Sequence, residues 1–317
     1  MRVCLMIEGQ EGVTWDEWVA LARACEQHGI ETLFRSDHYG SVEGMEDSSS
    51  LDAWTTLAAL GAVTARLRLG ALVSPVTFRH PSLLAKAVVT ADHVSGGRVE
   101  LGMGAGWLEQ EHVTYGFPFP DIPFRMGMLA EQLEIVVGHW TASVFDFRGD
   151  HYTLTACRAL PKPVQQPHPP LIIGGWAGRQ SATLAAQWAD EYNTIFADPA
   201  TCRTRRDAVE RVCDDVGRNP ATMRFSLMTG CLIGVDRGEL NERARRLLAR
   251  RGETGDPEAF LRQHADTWVI GTVGEAVERL QELAAAGVER VMLQQLLHDD
   301  LEMVALIGRE VAPRLSS

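Results

Sequence analysis

The amino-acid sequence predicts an α/β protein built as a (β/α)8, or TIM, barrel with insertions, and three observations carry that reading. Short β-rich runs alternate along the chain with helical segments of about 12 to 18 residues, the signature of parallel strands joined by helical crossovers. Eight such units fit within the 317 residues present, a usual length for one barrel. Polar and glycine-rich residues gather where the strands end. A doubly wound open sheet is the alternative architecture.

The first strand is residues 3–7, VCLMI. Thr14 caps the helix after it, with Glu17 as its capping-box partner. The apolar face of that helix is Trp18, Leu21, Ala22 and Cys25, and Gly29 ends it. The second strand covers 31–36, the third 67–73 after a helix over 52–64, and the fourth 99–103 after a helix over 81–94. Residues 104–123 read as a long irregular connection rich in Gly, Pro and aromatics, followed by a helix over 124–140. Residues 143–154 form a small hairpin turning at Gly149 and Asp150. The run PKPVQQPHPP, with five prolines in ten residues, delivers the chain into strand five at 171–173. Strand six lies near 192–196, strand seven near 224–235 and strand eight at 290–293, with a closing helix over 300–311. The charged helical stretch 236–267 reads as an insertion between strand seven and its helix, so the whole of 1–317 is one domain.

Composition limits what the protein does. Thirty Lys plus Arg against 42 Asp plus Glu leave a net charge of −12, with 45% hydrophobic and 23% charged residues. The acidic balance argues against nucleic acid and against an anionic membrane surface as partners. No stretch reaches the 18 or so apolar residues of a membrane helix. The apolar stretch at 3–7 is too short for a signal-peptide core. The six cysteines are far apart with no C-x-x-C pair, so a reduced, cytoplasmic protein is expected.

In a barrel the reacting groups stand at the carboxyl ends of the strands. Those ends supply Glu8; Asp37 and His38; Val73 and Ser74; Gly104, Ala105, Gly106 and Trp107; Gly174, Gly175 and Trp176; Asn193; and Gln294 with Gln295. Gly174-Gly175-Trp176-Ala177-Gly178-Arg179 opens a helix after an apolar strand, where free N–H groups and a fixed cation favour phosphate; a tight turn without ligand is the alternative. Gly102 to Trp107 is not a dinucleotide fingerprint, because Trp107 falls where the third glycine is needed. Small residues there instead let a flat ring lie against the backbone. His38 titrates near neutrality and can exchange a proton with a substrate oxygen. Asp37 reads as a residue that orients a backbone or an arginine, and alternation puts it on the same strand face as Arg35. Glu8, Glu109 and Glu111 are further proton carriers, with solvated carboxylates expected at 109 and 111. There is no G-x-S-x-G elbow and no H-E-x-x-H, and no metal is expected.

These segments resemble a known family. Ser36-Asp37-His38, LRLGALVSPVTFRHP (67–81), GRVELGMGAGW (97–107), YGFPFP (115–120), PKPVQQPHPPLIIGG (161–175) and WADEYN (188–193) are similar to the bacterial luciferase-like flavin and deazaflavin enzymes. The likeness is greatest to the branch that uses coenzyme F420, a 5-deazaflavin. The resemblance implies a luciferase-like barrel, a homodimer, and an oxidoreductase passing a hydride between the deazaflavin and a small organic substrate. An FMN-dependent monooxygenase using reduced flavin and oxygen is the alternative, with FMN in place of F420. The ring would meet Asp37, His38, Leu72, Val73, Gly104, Ala105, Gly106 and Trp107, with Ser74 beside them and a cis peptide joining Leu72 to Val73. The tail phosphate would meet Gly174, Gly175, Trp176, Ala177, Gly178 and Arg179. Sugar-phosphate dehydrogenases of this branch carry a catalytic glutamate directly after the G-x-G-x-G run, where this chain has Trp107. The proton carrier is therefore expected to be His38, a displaced Glu111, Glu8 or water, with Glu8, Trp107 and Tyr115 on the substrate side. The connections 104–123 and 236–267 are expected to cover the mouth.

Overall fold

The computed structural model describes residues 1–44 and 47–315. Its elements run β1 (Arg2–Ile7), α1 (Trp15–His28), β2 (Thr32–Arg35), α2 (Ala53–Val63), β3 (Arg68–Pro75), α3 (Pro81–Ser95), β4 (Val99–Gly104), α4 (Glu109–Tyr115) and α5 (Ile122–Thr141). The hairpin β5 (Phe145–Arg148) and β6 (Thr153–Cys157) follows, then β7 (Leu171–Gly174), α6 (Arg179–Trp188), β8 (Glu191–Ile195), α7 (Pro199–Asp215) and β9 (Arg224–Gly234). The chain ends with α8 (Arg237–Arg250), α9 (Pro257–His264), β10 (Val269–Thr272), α10 (Val273–Ala285), β11 (Arg290–Gln294) and α11 (Leu301–Leu306). Thr14 and Glu17 form the expected capping box, and Gly29 ends α1 in the left-handed conformation at φ 78°.

Eight strands close a parallel barrel in the order β1-β2-β3-β4-β7-β8-β9-β11, sealed by Val3 opposite Val291 and Tyr192 opposite Phe225. Alternation along each strand sorts the side chains into two apolar layers. Cys4, Met6, Phe34, Leu72, Ile172, Met228 and Met292 fill the interior, whereas Val3, Leu5, Leu33, Leu69 and Leu101 face the helices.

A buried charge network fills the barrel at the amino ends of the strands. Arg290 is fully buried; its Nη1 reaches Glu100 at 2.7 Å and Glu191 at 3.2 Å, and its Nη2 donates to Thr32 Oγ1 at 2.6 Å. Arg68 adds a 2.6 Å bond to Glu100, and Arg224 a 2.9 Å bond to Glu191. Charges this deep are tolerated only when paired. With this end filled, the carboxyl ends of the strands are the face open for chemistry.

Three stretches differ from the sequence reading. The connection 104–123 contains the short helix α4, anchored where His112 meets Thr77 Oγ1 at 2.6 Å and the Leu108 carbonyl at 2.7 Å. The hairpin turn spans four residues, because the Glu131 carboxylate accepts the N–H groups of Asp150 (2.6 Å) and of His151 and Tyr152 (3.0 Å each). Within the region after strand seven, α8 and α9 are followed by β10, which pairs with the outer half of β9; four residues are too few to show a strand period. Among the described residues, no helix is long and apolar enough to cross a membrane.

Candidate functional site

At the tip of β2 the chain brings together two residues far apart in sequence. His38 Nδ1 lies 2.8 Å from Glu111 Oε2, with the Glu111 side chain wholly buried and that of His38 15% exposed. The other Glu111 oxygen accepts the N–H of Gly40 at 3.0 Å and that of Tyr39. Helix α4 makes this possible by carrying Glu111 inward while Glu109 stays exposed. The expectation of a solvated carboxylate therefore holds at 109 and fails at 111. Burial opposes charge on His38, but the hydrogen bond and charge of Glu111 outweigh it and raise the imidazole pKa above its ordinary value. Glu111 is held below the ordinary carboxylate range, since the same bond and the two backbone N–H groups outweigh its burial. With Nδ1–H donating to a carboxylate, Nε2 is the ring position left for proton exchange.

Trp107 stands beside this pair, 65% exposed, with its ring edge-on to His38 at 5.7 Å. Tyr115, 52% exposed, donates to the Tyr39 carbonyl at 3.1 Å and packs against Tyr39 and Phe117. Asp37 points elsewhere, accepting from Ser74 Oγ and from Arg79 Nη1, each at 2.6 Å. Ser74 in turn accepts from Trp54 Nε1 at 2.9 Å. The side chains of Asp37 and Ser74 thus brace the site from behind. Alternation suggested Arg35 as the company of Asp37; the ion pair is instead with Arg79, which also binds Asp52 at 2.6 Å. Arg79 was missed because its role depends on a contact across 42 residues, for which the sequence carries no local signal.

Glu8 is buried, accepting from Gln294 Nε2 at 2.5 Å and Gln10 Nε2 at 2.8 Å, and Gln10 accepts from Ser36 Oγ at 2.5 Å. Amide donors on both oxygens make Glu8 an organiser of the β1 and β11 tips. Gln294 and Gln10 complete a network of which the sequence reading had only part. Asn193 faces the interior, donating to Ser226 Oγ at 2.9 Å.

The peptide joining Leu72 to Val73 is cis, and the β3–β4 register shifts between Ala71 and Ser74. Val73 is seated against three glycines: a Cβ on Gly102 or Gly104 would stand 2.9 or 2.8 Å from its methyl groups, and one on Gly174 3.2 Å. The missing side chains of Gly104 and Gly174 therefore first admit Val73, which forms the partly exposed apolar floor of the mouth with Leu72, Ile195 and Phe196. Ala105 is partly buried at the same tip, and Gly106 takes a left-handed φ of 82° against Pro75 and Thr77.

The start of α6 differs from most other helix starts. Asp52, Asp121, Asp198, Asp236 and Asp300 cap helices with their side chains, whereas Gly178 gives α6 no side-chain cap. Gly175 N–H donates to the Asn193 carbonyl at 2.9 Å and Ala177 N–H to Tyr192 Oη at 2.8 Å, so these two shape the loop. Helix geometry leaves the first N–H groups of α6 without intrahelical acceptors, and Arg179 is 85% exposed beside them. Trp176, 62% exposed, is covered by the Arg205 guanidinium at 4.7 Å. A flat apolar ring over Val73 with an anionic tail at α6 fits this donor set. No group of three or more His, Cys, Asp or Glu among the described residues is placed to hold a metal ion.

Comparison with known proteins agrees with the closed-barrel fold. An FMNH(2)-dependent dimethylsulfone monooxygenase from Pseudomonas putida is 27% identical, over 92% of this chain and 86% of its own. An F420-dependent glucose-6-phosphate dehydrogenase from Nakamurella multipartita is also 27% identical, over 94% and 92%. Among solved structures, the coenzyme F420 dependent tetrahydromethanopterin reductase from Methanopyrus kandleri superposes with a TM-score of 0.81 at 20% identity, covering 99% of both chains. The family model described as luciferase-like monooxygenase matches residues 3–290, and the chain therefore belongs to the luciferase-like monooxygenase family.

Proposed function

We propose that this luciferase-like oxidoreductase uses coenzyme F420 to move a hydride to or from a small organic substrate at the barrel mouth. The observation that carries the reading is the 2.8 Å His38–Glu111 pair beside Trp107. When bound, the deazaflavin supplies a two-electron hydride carrier at C5. His38 holds or accepts, at Nε2, the proton that accompanies the hydride on a substrate oxygen. Glu111 fixes the tautomer and stabilises the imidazolium. Leu72 and Val73 supply the apolar floor, Trp107 and Tyr115 the substrate-side wall, and the start of α6 with Arg179 the phosphate contact. Glu8 holds the β1 and β11 tips through its two amide partners.

An FMN-dependent monooxygenase is the second reading, favoured by the likeness to the dimethylsulfone enzyme over 92% of the chain. Titrating the protein with F420 and with FMN, followed by cofactor fluorescence, separates the two. Micromolar retention of F420 with weak FMN binding supports the proposal, and the reverse order replaces it with the second reading. The proposal includes a cytoplasmic homodimer with no nucleic-acid or membrane partner, which light scattering on the purified protein checks for the dimer.

A further inference from the structure

One arginine of α7 joins the tip of β8 to the loop before α6. Arg205 Nη1 donates to Thr194 Oγ1 at 2.7 Å and to the Ile195 carbonyl at 2.8 Å. Its guanidinium carbon stands 4.7 Å from the centre of the Trp176 ring. Both bonds go to uncharged acceptors, whereas Arg206, its neighbour on α7, pairs with Glu210 at 2.7 Å. A planar guanidinium can bond at its edge and stack through its face at once, which an ammonium cannot do.

The backbone that Arg205 holds is out of the ordinary. The Ile195 carbonyl and the Phe196 N–H belong to one peptide group. The first accepts from Arg205, and the second donates to the Met228 carbonyl at 3.0 Å. Beyond this doubly bonded peptide Phe196 takes a φ of 42°, the left-handed region that a bulky side chain rarely adopts. Such a conformation persists only where the surroundings over-determine it, and it concentrates at ligand sites. Phe196, like Val73, packs on the interior cluster of Leu72, Ile172 and Met228 and stays partly exposed. On the other side of Arg205, Trp176 precedes Ala177, itself left-handed at φ 59° with its N–H bonded to Tyr192 Oη at 2.8 Å.

We infer that Arg205 is a positioning residue for the cofactor, fixing Phe196 at the floor of the mouth and Trp176 at the tail anchor in one geometry. It acts through these two side chains. The inference rests on the proposed binding of a tricyclic, phosphate-tailed cofactor at the mouth, whether F420 or FMN.

The test titrates the full chain with F420 and with FMN, followed by cofactor fluorescence. It also reads the cofactor-free protein by fluorine NMR after 5-fluorotryptophan labelling, with Trp176→Phe assigning the Trp176 signal. Arg205→Met should weaken the better-bound cofactor about ten-fold and shift the Trp176 signal of the cofactor-free protein. Arg205→Lys keeps the charge but loses the planar fork, so its binding should stay within about three-fold of Arg205→Met. Combining Phe196→Ala with Arg205→Met should cost less than the product of the two single losses, because Arg205 acts through Phe196. Should Arg205→Met fail to fold, Arg205→Lys carries every readout. Native-like binding in a folded Arg205 variant, an unmoved Trp176 signal, or losses that multiply with Phe196→Ala would overturn this inference alone. A native chain that retains neither cofactor overturns the cofactor reading, and the role of Arg205 with it.

Discussion

Replacing Glu111 by glutamine tests the proton-handling pair at the mouth most directly. The amide oxygen can still accept the N–H groups of Tyr39 and Gly40, so the loop after β2 keeps its anchor. What is lost is the negative charge 2.8 Å from His38 Nδ1. An opposite charge at this range moves a pKa by about one to three units, so the imidazolium of His38 should become roughly 10- to 1000-fold less favoured. The amide –NH2 now faces Nδ1 and makes it an acceptor, which moves the ring proton to Nε2. Nitrogen-detected NMR across pH 4 to 9, with His38→Asn to assign the signals, reads both changes. His38 should titrate at lower pH in the variant, and turnover needing the protonated ring should fall in parallel. The linkage has a definite sign. The raised His38 pKa contributes stability that is full below its ordinary value near 6.5 and lost as pH rises through the folded value. The lowered Glu111 pKa contributes stability present above about 4.5 and lost as pH falls through its folded value. Urea denaturation at pH 5, 7 and 9 should therefore show a flatter pH dependence in the variant. An unchanged His38 titration in a folded Glu111→Gln protein would refute the coupling.

Further outcomes follow from the same structure. Gly104→Ala places a methyl 2.8 Å from Val73, which should lower stability by roughly 1–3 kcal/mol and weaken cofactor binding; adding Val73→Ala should restore part of both in thermal melts and fluorescence titrations. Arg290→Met takes from the buried Glu100 and Glu191 one of the two arginines each is paired with, leaving Arg68 and Arg224, and should lose about 3 kcal/mol by chemical denaturation at pH 7. Glu100 is fully buried and held at about 2, where its ordinary value is 4.5, because Arg290 and Arg68 outweigh the burial that opposes its charge. That difference is worth roughly 3 kcal/mol, present above about pH 4.5 and lost as pH falls toward 2, so acid unfolding of the native protein should be steeper than that of Glu100→Gln. Arg179→Gln should weaken a phosphate-tailed cofactor several-fold and reduce the salt dependence of its binding, while leaving the melting temperature within a degree or two.

Periodicity and capping residues determined the barrel, because strand and helix alternation is a local property. Thr14 with Glu17, Asp52 before α2 and Pro81 at the start of α3 all do in the fold what their neighbours in sequence dictate. The glycine runs after β4 and β7 marked the mouth for the same reason, since small residues at strand tips are visible without a partner. Contacts between distant residues were decided only by the closed barrel. Glu111 read as a solvated carboxylate until α4 turned it onto His38, 73 positions away. Asp37 found Arg79 rather than Arg35, and Gly104 and Gly174 turned out to admit Val73 before any ligand. The floor network is the extreme case, with Arg290 and Glu100 190 positions apart. Spacing along a chain reports which face a side chain takes within its own element. Which charges end up within 3 Å of one another is set by how the eight strands close, and that closure is a tertiary fact.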